Sequence, residues 1–189
     1  MNSAILPTIV IVPGLRDHMQ DHWQTLLAER LRKQKRAVHI VPQIDQDKAL
    51  CSARIANLEC VVSGIKGPII LVAHSMGCLI TVHWAQSTGR EVRGALLAAP
   101  ADLDTPLPAG YSNPQTLATN GWTPLPRARL PFPSIVVGSR NDPIGGFEQV
   151  RKLAKAWGSR FVDGGEIGHL SPADGYGNWP KAEDLLQEL

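Results

Sequence analysis

The absences in this 189-residue chain narrow its class before any motif is read. It carries three cysteines, Cys51, Cys60 and Cys78, an odd number with no CxxC pair among them. That argues against a disulfide framework or a zinc site, and for small buried or half-buried side chains in a reducing compartment. No apolar run approaches the roughly 18 residues that a membrane-spanning helix needs. The stretch Met1–Pro7 has neither the basic flank nor the apolar core of a secretory signal, so the expected location is cytoplasmic. A net charge of +2 gives no field that would gather nucleic acid or an acidic membrane surface. The one basic cluster, Arg30, Arg32, Lys33, Lys35 and Arg36, reads as the solvated last turn of a helix, where cations complement the dipole, before it reads as a phosphate site. Repeats and low-complexity segments are missing too, and no feature sets an oligomeric state.

What is present fits a globular domain. Hydrophobic residues make up 43% and charged residues 19%, ordinary values for a chain that folds around its own core. At this length the whole chain is expected to form one domain, burying about 70% of its unfolded surface. Strand-like and helix-like patterns alternate. The strands expected are Thr8–Val12, Ala37–Val41, Pro68–Ala73, Val92–Ala98, Ser134–Gly138 and Arg160–Asp163. The helices expected are Asp21–Lys35, Lys48–Ser63, Met76–Ser87, Phe147–Trp157 and Pro180–Leu189. Such alternation predicts an α/β fold with a mostly parallel six-stranded sheet and helices on both faces.

The most informative stretch is Ile69-Ile70-Leu71-Val72-Ala73-His74-Ser75-Met76-Gly77. An apolar run rich in branched residues stops at a serine with a small residue two positions away on each side, and a helical pattern follows. This is the pattern of a nucleophile elbow, in which a sharp strand-to-helix turn lifts the serine hydroxyl above a sheet. The crowded backbone of that turn requires small neighbours. Ala73 stands where glycine is commoner, and it meets the same steric demand. The Met76 amide, at the start of the helix, faces the space where an oxyanion would form. A second donor is expected from Leu15, after Val12-Pro13-Gly14 at the end of the first strand; the plainer reading there is an ordinary strand-to-helix turn.

A serine nucleophile needs a base, and the base an orienting acid, in the chain order Ser, Asp or Glu, His. Asp142 lies in a tight Asn-Asp-Pro turn after the fifth expected strand. His169 lies in a glycine-rich loop after the sixth. Asp102 and Asp104, after the fourth strand, are the rivals for the acid. His74 is expected to point away from the serine hydroxyl. His18 and His22 either line a pocket or pack, and His39 and His83 read as structural.

Val12-Pro13-Gly14, Ala73-His74-Ser75-Met76-Gly77, Gly138-Ser139-Arg140-Asn141-Asp142-Pro143 and Gly168-His169 together resemble the small serine hydrolases of the retinoblastoma-binding protein 9 type. The resemblance runs from about the first strand to the last helix. It implies a minimal α/β-hydrolase fold, without room for the two antiparallel strands that precede the core in larger relatives. It also implies a triad of Ser75, Asp142 and His169, and carboxylester hydrolysis.

The segment from Pro100 to Pro133 has eight prolines and no sustained period. It reads either as a short cap over the pocket, with Trp122 and Leu125 as lining residues, or as a surface crossover whose Trp122 packs on the sheet. Leu170, beside the base, is a third candidate for the pocket wall. The function expected is ester hydrolysis through an acyl-enzyme, on a small-molecule substrate with a small acyl group, requiring no metal and no organic cofactor. Two alternatives stand beside it: a binding protein on a hydrolase scaffold with little turnover, and a hydrolase of thioester or amide bonds.

Overall fold

A computed structural model describes residues 6–15, 20–44 and 50–189. The elements follow in the order β1 (Thr8–Val12), α1 (Trp23–Lys33), β2 (Val38–Ile40), α2 (Cys51–Ser63), β3 (Ile69–His74), α3 (Met76–Trp84), β4 (Val92–Ala98), α4 (Pro114–Thr119), β5 (Ser134–Gly138), α5 (Phe147–Trp157), β6 (Arg160–Asp163) and α6 (Lys181–Leu186). The six strands form one sheet in the order β2-β1-β3-β4-β5-β6, and every pairing is parallel.

Strand periodicity explains how the sheet is covered. Side chains alternate between faces along a strand. Ile9, Ile11, Ile70, Val72, Leu96, Ala98, Ile135 and Val137 point to one face, under α1 and α6. Val10, Val12, Ile69, Leu71, Ala73, Ala95, Leu97 and Val136 point to the other, under α2, α3 and α5. Both faces are buried, so β1, β3 and β5 read as continuous apolar runs instead of alternating ones.

The chain reverses its direction of growth between β1 and β3, since β2 lies outside β1 and the later strands lie beyond β3. Open parallel sheets bind ligands at such a switch point, beyond the carboxyl ends of the strands. Gly14 and Leu15 follow β1, and Ser75 follows β3. The two segments meet there.

Most boundaries agree with the sequence reading, and the differences have local causes. Helix α1 starts at Trp23 because the His22 ring caps it, its Nδ1 accepting from the Gln24 amide at 3.2 Å. The expected beginning of α2 at Lys48 lies outside the described residues. Cys60 faces solvent and is not half-buried, because nine residues at 3.6 per turn set it half a turn out of phase with buried Cys51. Two short elements were not anticipated: α4 and a single 3₁₀ turn, Pro172–Asp174. Among the described residues no helix is long and apolar enough to cross a membrane.

Candidate active site

Ser75 has φ 55° and ψ −127°, in the positive-φ region that non-glycine residues rarely enter. Its amide donates to the Ala98 carbonyl at 3.1 Å, which ties the turn to the end of β4. Gly77 permits the turn. A Cβ there would run into the carbonyl oxygen of Val12 and lie 2.6 Å from that of Pro13, so α3 leaves the elbow in direct contact with the end of β1. The same approach brings Gly14 against the serine: a Cβ at Gly14 would lie 3.2 Å from Ser75 Cβ and 3.6 Å from its Oγ.

Three side chains from three loops join in a line. Ser75 Oγ lies 2.8 Å from His169 Nε2, and His169 Nδ1 lies 2.8 Å and 3.0 Å from the two oxygens of Asp142. The Asp142 side chain is 1% exposed, and its Oδ1 also accepts from the Ile144 amide at 2.8 Å, closing the Asn-Asp-Pro turn on itself. A buried carboxylate on Nδ1 puts the ring proton there and leaves Nε2 free to accept from the serine hydroxyl. Asp102 is buried but belongs elsewhere: its oxygens accept from the Asp104 amide and the Thr105 hydroxyl. Asp104 pairs with Arg127 at the surface.

The loop that carries His169 is pinned on several sides. Gly168 has φ 56° and Leu170 φ 53°, so His169 sits between two left-handed residues. The Gly168 amide donates to Asn141 Oδ1 at 2.7 Å, and the Ile167 amide to Ser139 Oγ at 3.2 Å. Thus the loop of Asp142 and the loop of His169 are stitched together. Asp174 Oδ2 accepts from the His169 amide at 3.0 Å, from the Ser171 amide at 3.2 Å and from the Ser171 hydroxyl at 2.6 Å. Desolvation pushes the Asp174 carboxyl up, but the Ser171 and His169 hydrogen bonds outweigh it and hold the group below the usual carboxylate range. Ser139, Asn141, Asp174 and His74 are the positioning residues that sequence reasoning missed. The Ser171-Pro172 start of the 3₁₀ turn, with an acid three residues after the serine, was the available signal for Asp174.

A cavity of about 320 Å³ opens beside the serine. Leu15, Leu107, Tyr111, Leu117 and Ile144 supply its apolar wall, and Ser75, Met76 and His169 border it as well. The segment 100–133 therefore does border the cavity, through residues other than those expected. Trp122 is 1% exposed and packs in the core layer with α3, its ring edge-on to His83. Left-handed Gly121 ends α4 and turns Trp122 inward, with the Trp122 amide donating to the Leu117 carbonyl at 3.0 Å. Leu125 is buried in the same layer, and Leu170 is fully buried in the opposite one, under α1 and α6. These three expected lining residues are core residues, and Leu117 does the work assigned to Trp122 and Leu125.

The remaining histidines divide. His22 and His74 border the cavity; His39 is exposed on β2; His18 lies outside the described residues. Burial, only partly offset by a hydrogen bond with the Trp122 carbonyl, lowers the His83 pKa. Burial pushes the Cys51 thiol up to about 11 and raises the Cys78 thiol well above the usual thiol range, so neither is a thiolate nucleophile. No cluster of three His, Cys, Asp or Glu side chains placed to hold a metal occurs among the described residues.

Known proteins show the same architecture. A protein described as a YdeN-like hydrolase from Pectobacterium atrosepticum superposes with a TM-score of 0.80 at 28% identity, over 96% of this chain and 89% of that one. The ydeN gene product of B. subtilis gives 0.76 at 19% identity, over 97% and 98%. A thermophilic esterase from Thermogutta terrifontis gives 0.64 at 16%, over 96% and 88%. None of the curated proteins matches the sequence. The serine hydrolase family matches residues 9–188, nearly the entire chain, and the protein belongs to that family.

Proposed function

We propose that the protein hydrolyses carboxylic esters of small acyl groups through an acyl-enzyme on Ser75; the resemblance to the small hydrolases of the retinoblastoma-binding protein 9 type, which implies carboxylester hydrolysis, supports the ester part of this reading. The observation that carries the reading is the unbroken line from Ser75 Oγ through His169 to Asp142, with contacts of 2.8 Å at both joints.

Each group has one task. His169 Nε2 takes the hydroxyl proton as Ser75 Oγ attacks the ester carbonyl carbon. Asp142 fixes the ring tautomer and stabilises the imidazolium that forms. The carbonyl oxygen becomes an oxyanion beside the amides of Met76 and Leu15. The Met76 amide opens α3, where first-turn N–H groups have no partner within the helix. His169 then returns the proton to the departing alcohol. Water, deprotonated by the same nitrogen, releases the acid and restores the serine.

Ser75 is only half-buried and borders an apolar cavity. An accessible hydroxyl supports turnover over a sealed binding scaffold. The cap-like role of segment 100–133 belongs to the same proposal, with Leu107, Tyr111 and Leu117 enclosing the acyl group. Fluorophosphonate labelling followed by a panel of p-nitrophenyl esters tests the reading. Labelling confined to Ser75, with turnover of acetate or butyrate esters, is expected. An unlabelled and inactive protein refutes it.

A further inference from the structure

Gly14 and Leu15 share one peptide plane. In a trans peptide the carbonyl and the N–H point in opposite directions. Whatever holds the Gly14 carbonyl therefore aims the Leu15 N–H the other way. Gln43 holds it: Gln43 Nε2 donates to the Gly14 carbonyl oxygen at 2.7 Å. Gln43 and Gly14 border a narrow crevice together with Arg54, whereas Leu15 borders the cavity that contains Ser75.

Gln43 is itself held in place. Arg54, 5% exposed on α2, donates to Gln43 Oε1 at 3.5 Å, which sets the end of the amide that faces Gly14. Asn57, also on α2, donates to the Pro42 carbonyl at 2.7 Å and fixes the residue before Gln43. The Val41 amide donates to the Ile11 carbonyl at 2.9 Å, binding the same stretch to β1. A short relay thus runs from α2 through Gln43 to the loop after β1.

We infer that Gln43 is a positioning residue of the oxyanion site, holding the Gly14–Leu15 peptide with the Leu15 N–H turned toward the oxygen that becomes negative when Ser75 attacks. The inference rests on the reading of Ser75 and Leu15 proposed above. Gly14 makes the support necessary, because a glycine lets its peptide rotate at little steric cost. A rotated peptide would present a carbonyl where a donor is needed. An oxyanion donor is worth roughly 10²–10³ in kcat. Loss of the support leaves the donor present but misaligned part of the time, so the expected loss is about 10- to 100-fold.

Gln43→Met keeps the length of the side chain and removes the donor. Gln43→Glu places an acceptor against the carbonyl. Both change a surface residue and leave the core intact. The kinetics of a p-nitrophenyl ester are measured beside the inhibition constant of an aryl trifluoromethyl ketone. Ser75 Oγ adds to that ketone carbon, His169 takes the hydroxyl proton, and the ketone oxygen becomes the oxyanion. The expected result is kcat lowered about 10- to 100-fold in both variants, KM within about twofold, and the ketone weakened by the same factor as kcat. A purely structural role would not link the ketone to kcat. Unchanged kcat, or a kcat loss without weakened ketone binding, in a wild type that labels on Ser75 overturns the inference alone. Failure of the wild type to label at all overturns the triad reading and this inference with it.

Discussion

His74 donates its Nε2–H to the main-chain carbonyl of His169, with 2.7 Å between nitrogen and oxygen. A carbonyl oxygen only accepts, so the contact fixes the His74 tautomer as well as the His169 backbone. The two rings lie 5.0 Å apart at 45°. On the other side of the same residue, the His169 amide donates to Asp174 and the ring donates to Asp142. His169 is therefore held at its carbonyl, its amide and its Nδ1, by three side chains from three segments and without a strand ladder. A residue flanked by left-handed Gly168 and Leu170 keeps its geometry only when its surroundings over-determine it.

Ser75→Ala is expected to abolish fluorophosphonate labelling and to lower kcat by roughly 10⁴–10⁶. Alanine keeps the Cβ that already tolerates φ 55°, so the elbow and the melting temperature stay close to wild type. Intact-mass measurement after incubation with the probe reads the outcome. An adduct on the alanine protein would place the nucleophile elsewhere.

The acid is tested by contrast. Asp142→Asn offers the His169 ring an amide in place of an acceptor-only carboxylate and is expected to cost on the order of 10⁴ in kcat. Asp102→Asn changes a residue that closes the turn to Asp104 and Thr105, and should leave kcat within about threefold while lowering stability by roughly 1 kcal/mol. Steady-state kinetics and thermal unfolding of the two proteins separate these effects. The reverse pattern would move the acid to the loop after β4.

Much of this site was legible because its chemistry is written in short strings. Ser75 sits in a pentapeptide whose small residues have a steric cause, visible in Gly77 pressed against Val12 and Pro13. Asp142 follows β5, whose apolar run marks it as buried, His169 follows the short strand β6, and the order of the loops does the rest. The strands β1, β3 and β5 were equally plain, since the centre of a sheet covered on both faces is apolar throughout. The pocket wall was not legible in the same way. Trp122 and Leu117 are both apolar and lie five residues apart, and the choice between them depends on how α4 ends. The Asn113-Pro114 pair did signal that helix: Asn113 Oδ1 accepts from the Thr116 amide at 2.8 Å, and the proline takes the first turn. Its brevity hid it among the other prolines. His74 was placed correctly in the elbow, but its partner is a main-chain carbonyl 95 positions away, which no local pattern encodes.

Asp174 gives the site an acid-sensitive support. Its native pKa is held below the unfolded value, so the folded state binds fewer protons than the unfolded one as the group titrates. The stability it confers is complete above the unfolded carboxylate value, roughly pH 3.9, and is lost as pH falls through the native pKa. Melting temperatures of wild type and Asp174→Asn, measured from pH 7 down to about pH 3, should differ most at the upper end and draw together as pH falls below the unfolded carboxylate value. A gap that does not narrow over that range would mean that the carboxylate charge is not what supports the loop.

Substrate length distinguishes the wall of the cavity from the core behind it. Each methylene that leaves water contributes about 0.8 kcal/mol, close to fourfold in kcat/KM, for as long as the cavity has room. A cavity of about 320 Å³ that also admits the reacting ester group fills early, so kcat/KM for p-nitrophenyl esters should rise over the first few carbons and then level or fall, leaving palmitate a poor substrate. Leu117 is part of that wall, and Leu117→Ala should move the break to longer chains. Leu125 is buried in the layer under α3 and outside the lining, so Leu125→Ala should leave the break in place and instead cost about 2–5 kcal/mol of stability. A shift of the break in Leu125→Ala, or none in Leu117→Ala, would show that the acyl chain runs toward the core and not along α4. A steady rise out to sixteen carbons in the wild type would show that the acyl chain meets far more apolar surface than this cavity provides.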